Sequence, residues 1–206
     1  MKILVIGATG MIGSRIVAEA LSRGHEVIAA ARNPDQAQQR KGLSSIALDV
    51  SDTGQLAQRA ALADVTVCAV SPRSTGDAEA EAIAYADALI AGLAEARVVL
   101  VGGAGTLNLP DGTPVASIVP QAYAAEARGM RAAYEKISAS ALNFTTLAPA
   151  GQIEPGDKTG KFRTGERTLL TDADGNSRIS AEDYAIALLD EVEHPKHAGG
   201  LFTVAY

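Results

Sequence analysis

Gly7, Gly10 and Gly13 stand at intervals of three in the run Ile-Leu-Val-Ile-Gly-Ala-Thr-Gly-Met-Ile-Gly of residues 3–13. Four aliphatic residues lead into them without a linker, and a segment with helical apolar spacing follows at once. A strand that turns through glycine into a helix leaves bare backbone N–H groups at the helix's positive end, where phosphate charge is stabilised. The glycines have separable jobs in such a turn: reversal of the chain, close approach of a pyrophosphate, and close packing of helix on strand. Glycines of an ordinary βα turn would show the same residue types, and the first pair is spaced by three instead of the usual two. The placement on the chain's first βα unit favours a dinucleotide cradle, with Gly7, Thr9, Gly10, Met11, Ile12 and Gly13 as its expected lining.

Arg32, at the end of the next strand-like run, is the second residue that points to chemistry. A carboxylate there holds a ribose 2′-hydroxyl, whereas a guanidinium suits a 2′-phosphate. The residues are Ala31-Arg32-Asn33-Pro34-Asp35, so no acid appears until Asp35. NADP(H) is therefore the expected cofactor, with NAD(H) still open. Arg15, early in the glycine-loop helix, is either a second guanidinium for that phosphate or part of a solvated helix face.

Positioning these residues requires an alternation of strands and helices, and the apolar pattern supplies it. Strands are expected over residues 3–6, 26–31, 45–48, 65–70, 98–101 and 144–147, and helices over 11–23, 34–41, 53–61, 75–96 and 121–140. After Pro149 the rhythm breaks. Residues 151–175 are rich in Gly, Lys, Arg, Asp and Thr and suggest a loop with a short hairpin around 161–164. Ser180-Ala181-Glu182-Asp183 opens a last helix with a capping-box-like start, running to about His194, and residues 201–205 form a terminal strand. Such alternation implies right-handed βαβ crossovers and a doubly wound, mostly parallel, Rossmann-like α/β sheet with helices on both faces. One domain over residues 1–206 is expected, with 150–206 a smaller extension on the substrate side.

Ligands of open α/β sheets bind beyond the carboxyl ends of the strands. Besides the glycine loop and Arg32, those ends carry Asp49 and Val50, then Ala69, Val70 and Ser71, then Gly102 and Gly103, and finally Pro149 and Ala150. Ala69–Ser71 are expected to line the groove through their backbone. Asp49 also fits a plain cap or turn residue.

Composition excludes several classes of partner. With 18 Lys and Arg against 24 Asp and Glu, the net charge of −6 argues against a general nucleic-acid or anionic-membrane surface. The first apolar run is broken at Gly7, unlike a signal peptide, and no stretch approaches the roughly 18 apolar residues of a membrane span. The single cysteine, Cys68, allows no intrachain disulfide and fits a reducing cytoplasm, where it is expected to be a buried small hydrophobe. His25, His194 and His197 stand without a ligand cluster, so no metal is expected. A monomer or a homodimer fits equally.

The stretch Gly7-Ala8-Thr9-Gly10-Met11-Ile12-Gly13 resembles the glycine motif of the atypical short-chain dehydrogenase/reductase proteins, and the resemblance spans nearly the whole chain. Leu147-Ala148-Pro149-Ala150-Gly151 and the tail from Asp174 to Ala185 are similar to the NAD(P)H-binding group of NADH-flavin reductases, related to biliverdin reductase B and NmrA-like proteins. The resemblance implies that Asp49 lies near the adenine with Val50 packing on it, and that Pro149 and Ala150 contact the nicotinamide through their backbone.

The chain departs from the best-known members of that family where chemistry is done. They place a Ser after the fifth strand and a Tyr-x-x-x-Lys on the next helix. Here the fifth strand runs into Gly102-Gly103-Ala104-Gly105, with Thr106 close by, and Tyr123 is followed four later by Ala127. Tyr134 and Lys136 are two apart and do not share a helix face. Reducing a carbonyl asks for a positioned acid, whereas a reduced flavin or quinone can take its proton from solvent. The expected activity is hydride transfer from NAD(P)H to a planar acceptor such as a flavin or quinone. Tyr123 is the candidate catalytic contact, against its alternative as a helix-packing tyrosine. A non-catalytic, NmrA-like redox sensor and a nucleotide-sugar epimerase or dehydratase are the rival readings.

Overall fold

A computed structural model describes residues 1–34, 40–73 and 75–206. In chain order the elements are β1 (Lys2–Ile6), α1 (Met11–Ser22), β2 (Glu26–Ala31), β3 (Leu43–Ala47), α2 (Thr53–Ala60), β4 (Val65–Cys68), α3 (Ala78–Gly92) and β5 (Arg97–Val101). They continue as α4 (Gln121–Ser138), β6 (Asn143–Ala148), β7 (Gln152–Glu154), β8 (Arg163–Gly165), β9 (Arg178–Ser180), α5 (Ala181–Glu193) and β10 (Leu201–Ala205). Eight strands form one sheet in the order β3-β2-β1-β4-β5-β6-β10-β8, while β7 and β9 pair separately. All neighbours in the large sheet are parallel except β8, which runs antiparallel to β10. The order reverses between β1 and β4, so the carboxyl edge opens there into the crevice of a doubly wound sheet.

Alternation along the strands sends successive residues to opposite faces. Ile3 and Val5 of β1 join Val67, Leu147 and Leu188 in the core beneath α1 and α5. Leu4 and Ile6 join Leu56, Leu89, Leu100 and Phe144 beneath α2, α3 and α4. The central strands β4 and β5 are buried almost throughout because both faces are covered.

Several expected boundaries move, and each move has a local cause. The fourth strand stops at Cys68, and the long helix begins at Ala78, where the Asp77 side chain accepts from the Ala80 amide at 3.0 Å. The hairpin expected around residues 161–164 is absent: β8 finds its partner in β10, through Val204 and Thr164, and closes an edge that would otherwise lie open. The helix expected over residues 34–41 falls mainly outside the described residues. Two short 3₁₀ turns, Ala104–Thr106 and Val115–Ser117, stand between β5 and α4, where no element was expected.

The start of α5 is half of a capping box. Ser180 Oγ accepts from the Asp183 amide at 3.0 Å, but the Asp183 carboxylate does not reach back. It accepts instead from the Thr159 amide at 2.8 Å, the Gly160 amide at 2.8 Å, the Tyr206 hydroxyl at 2.9 Å and the Thr159 hydroxyl. Burial would raise this carboxyl, but the bonds from Thr159, Gly160 and Tyr206 outweigh it and hold it below the usual carboxylate range. The loop at residues 159–160 is thereby pinned to the start of α5 and to Tyr206 after β10. Toward the far end of α5, Arg23 of α1 pairs with Asp190 and Glu193 at 2.8 and 2.7 Å.

Candidate functional site

Each glycine of residues 7–13 has its own reason. Gly7 has φ of 81°, a left-handed conformation, and a Cβ there would lie 2.4 Å from the Ala69 carbonyl oxygen. Its amide donates to the Ala30 carbonyl at 2.9 Å, so the turn is gripped between the ends of β2 and β4. A Cβ on Gly13 would lie 2.1 Å from the Gly7 carbonyl oxygen, which is the close helix–strand packing. Gly10, the N-cap, has an ordinary φ of −72°, and a Cβ there would meet only the Gly7 oxygen, at 3.3 Å. That Cβ would otherwise project into the open space in front of the helix.

The N-terminus of α1 has no side-chain cap and no acid in its first turn. The helices α2, α3 and α5 are capped by Asp52, Asp77 and Ser180, whereas α4 shares the uncapped start of α1 but has no glycine turn before it. An uncapped, positively polarised helix end beside a glycine-lined space fits an anionic phosphate. Thr9, Gly10 and Met11 are exposed around it, and Ile12 is half-buried.

Beyond β2 and β3 the structure brings Arg32 and Asp49 close enough for the guanidinium to act on the carboxylate. Asp49 Oδ1 accepts from the Ser51 amide at 2.9 Å and the Ser51 hydroxyl at 2.7 Å. These bonds first, and the charge of Arg32 after them, hold its carboxyl below the usual range. Asp49 is thus a turn residue, exposed at the rim, with Val50 packed into the core beside it. Arg15 is committed elsewhere: its Nε donates to Glu182 Oε1 at 2.8 Å and its Nη1 to the Met11 carbonyl at 3.0 Å.

The other half of the edge is built by β4, β5 and β6 with α4 standing over them. Gly102 cannot carry a side chain without disturbance, since a Cβ would lie 2.8 Å from Thr146 Cγ2. A Cβ on Gly103 would meet the Met130 side chain at 3.2 Å. Pro149 and Ala150 are buried, so whatever they touch they touch through the backbone. Ala69 and Val70 are half-buried, and Ser71 is exposed.

Two residues on α4 that sequence spacing could have exposed enter here. Glu126 accepts from the Ser71 hydroxyl at 3.1 Å and pairs with Arg73 at 3.0 Å, and Met130 covers Gly103. Tyr123 lies three residues before Glu126 and seven before Met130, hence on the same helix face, one turn nearer the mouth. It is 62% exposed. Arg131 reaches from α4 to Asn108 Oδ1 at 3.1 Å and to three carbonyls of residues 105–107, which fixes the loop after β5.

The groups nearest to a family-type acid–base set are already engaged with partners inside the chain. Thr106 is buried, and its hydroxyl donates to the Gly103 carbonyl at 2.7 Å. Tyr134 sits edge-on to Phe144 and beneath Arg167, while Lys136 pairs with Asp87 at 2.6 Å. Cys68 is buried, and burial pushes its thiol up to about 12. Among the described residues no group of three or more His, Cys, Asp and Glu is arranged to hold a metal, and no helix is long and apolar enough to cross a membrane.

The chain belongs to the NAD(P)H-binding family, whose model matches residues 7–195. A protein from Burkholderia pseudomallei, provisionally named an exported protein, is 43% identical with both chains fully covered and a TM-score of 0.89. A Bacteroides thetaiotaomicron protein, provisionally named an epimerase, is 33% identical over all of this chain and 96% of its own, at a TM-score of 0.91. A Streptococcus pneumoniae protein, provisionally named an NADH-flavin reductase, is 29% identical over all of this chain and 99% of its own, at 0.87. The expected membership of an NAD(P)H-binding family and the Rossmann-like sheet both hold.

Proposed function

We propose that the protein is an NAD(P)H-dependent oxidoreductase that passes hydride from a preferred NADPH to a flavin, quinone or similar planar acceptor. One observation carries this reading: an uncapped glycine cradle stands beside an acceptor edge whose family-type proton donors are lacking or engaged elsewhere. The name of the Streptococcus pneumoniae relative supports it. The name of the Bacteroides thetaiotaomicron relative favours an epimerase, but Ala127 stands where the Tyr-x-x-x-Lys pattern of such chemistry needs its lysine.

In this reading the amides of Met11, Ile12 and Gly13 bind the pyrophosphate, Arg32 binds the 2′-phosphate, and Asp49 and Val50 flank the adenine. The backbone of Ala69, Val70 and Ser71, with Gly102, Gly103, Pro149 and Ala150, holds the nicotinamide half. When bound there, the reduced nicotinamide supplies the hydride. The chain's part is to keep donor and acceptor face to face at about 3–3.5 Å. The glycine floor admits a flat ring, Tyr123 touches it at the mouth, and the proton comes from solvent. A monomer or homodimer working in the cytoplasm, without nucleic acid or membrane, completes the reading. Cytoplasmic location rests on the lone thiol of Cys68 and is checked by cell fractionation.

The test is steady-state oxidation of NADPH by the purified protein with FMN, riboflavin or menadione. Saturable turnover with at least one of them is expected. Tight binding of NADPH with no turnover would overturn the reading in favour of a redox sensor.

A further inference from the structure

The chain leaving β6 is tied down by three side chains that lie far from it in sequence. Tyr184 of α5 is fully buried, and its hydroxyl donates to the Leu147 carbonyl at 2.6 Å. The Gly102 amide donates to the same oxygen at 2.8 Å, so one carbonyl joins the exit of β5 to the exit of β6. One residue further on, the hydroxyl of the fully buried Thr203 in β10 donates to the Ala148 carbonyl at 2.9 Å. Ser177 Oγ then accepts from the Gly151 amide at 3.0 Å. Pro149 and Ala150 lie between these ties.

The hydroxyls are not needed to close the sheet. β6 already pairs with β5 and β10 through its own ladder. Phe and Val would fill the same volumes without burying a hydroxyl that has to find a partner. The two buried hydroxyls serve two consecutive carbonyls that lead directly into Pro149. A dinucleotide straddles the crevice where the strand order reverses. With its phosphate-bearing adenosine half over β2 and β3, its other half falls over the exits of β4, β5 and β6.

We infer that Tyr184 and Thr203 are positioning residues for the nicotinamide half of the cofactor. They hold the backbone of Pro149 and Ala150 in register with Gly102 at the exits of β5 and β6, where the ring has to be held. The inference rests on the cofactor reading above and assigns to the C-terminal third of the chain the placement of the reactive end.

The test is calorimetric titration of wild type, Tyr184→Phe and Thr203→Val with NADPH and with 2′,5′-ADP, which carries the 2′-phosphate and no nicotinamide. Wild type is expected to bind NADPH more tightly than the fragment. Each variant should lose about fivefold in NADPH affinity and keep its affinity for the fragment within about twofold. Unchanged fragment binding also reports that the variants fold. Equal weakening toward both ligands, or a preference for NADPH that survives in both variants, would overturn the positioning role. A wild type that does not favour NADPH over the fragment would overturn the cofactor reading itself.

Discussion

The two halves of the carboxyl edge are built in opposite ways. The half over β1, β2 and β3 is made from residues that follow one another closely: the glycine turn, Arg32, Asp49 and Ser51 all lie within the first quarter of the chain. The half over β4, β5 and β6 is assembled from distant pieces. Ser71 meets Glu126 across 55 positions, Leu147 meets Tyr184 across 37, and Ala148 meets Thr203 across 55. A cradle for a phosphate needs only backbone amides and space, which a local turn can provide. A floor and wall for a flat ring need surfaces brought together by the whole fold.

Substitutions in the two halves should therefore differ in kind. The largest effect is expected at Gly13→Ala, where the added methyl would sit 2.1 Å from the Gly7 carbonyl oxygen. A loss of about 3 kcal/mol in stability is expected, with NADPH binding abolished, as read by denaturant unfolding and titration. The matching change in the other half, Gly103→Ala, meets Met130 Cβ at 3.2 Å and Cγ at 3.4 Å, a far milder contact. It should leave stability nearly unchanged and raise KM for the acceptor. Equal destabilisation by both changes would break the contrast.

Next in size comes Asp183, which anchors the extension behind the second half. Asp183→Asn should cost about 2 kcal/mol, since a buried carboxylate accepting several bonds becomes a neutral amide. Its carboxyl lies below its unfolded value, as do those of Glu19 and Glu193, so their stabilisation is full above the unfolded carboxylate range. It is lost as pH falls through the depressed folded values, below about pH 4. Thermal unfolding across pH should show a flat plateau near neutrality and an acid limb that is shallower in Asp183→Asn.

Arg32→Ala tests the first half alone. NADPH affinity should fall about 30-fold, the loss of one charge-assisted contact, while NADH affinity stays within about threefold. An unchanged NADPH-to-NADH ratio would remove the 2′-phosphate role. The smallest effect is expected at Tyr123→Phe. A general acid contributes about a hundredfold or more. With the proton coming from solvent, kcat for flavin should change by less than about threefold in this variant.

Legibility follows the same division. The strand–helix alternation and both core faces could be read from periodicity, because the central strands are aliphatic and the helices amphipathic. The glycine cradle and Arg32 could be read because the glycine motif is contiguous and Arg32 directly follows a strand. Glu126 was within reach, since it stands three residues after Tyr123 in the same helix and so shares its face. The pairing of β8 with β10 was not, since a three-residue edge strand has no periodicity and its partners come 38 to 42 positions later. The ties of Tyr184 and Thr203 to the exit of β6 were equally hidden, because an apolar helix or strand shows no sign of which buried hydroxyl reaches which carbonyl.

The central claim is that the cradle and the floor together support hydride transfer to a flat acceptor. It is tested most directly by mixing the protein with FMN and NADPH carrying deuterium at the transferred C4 position, and following loss of the reduced nicotinamide in a single turnover. Oxidation that depends on both protein and flavin, and that slows with deuterium, is expected. NADPH that stays bound and unoxidised in the presence of flavins and quinones alike would contradict it.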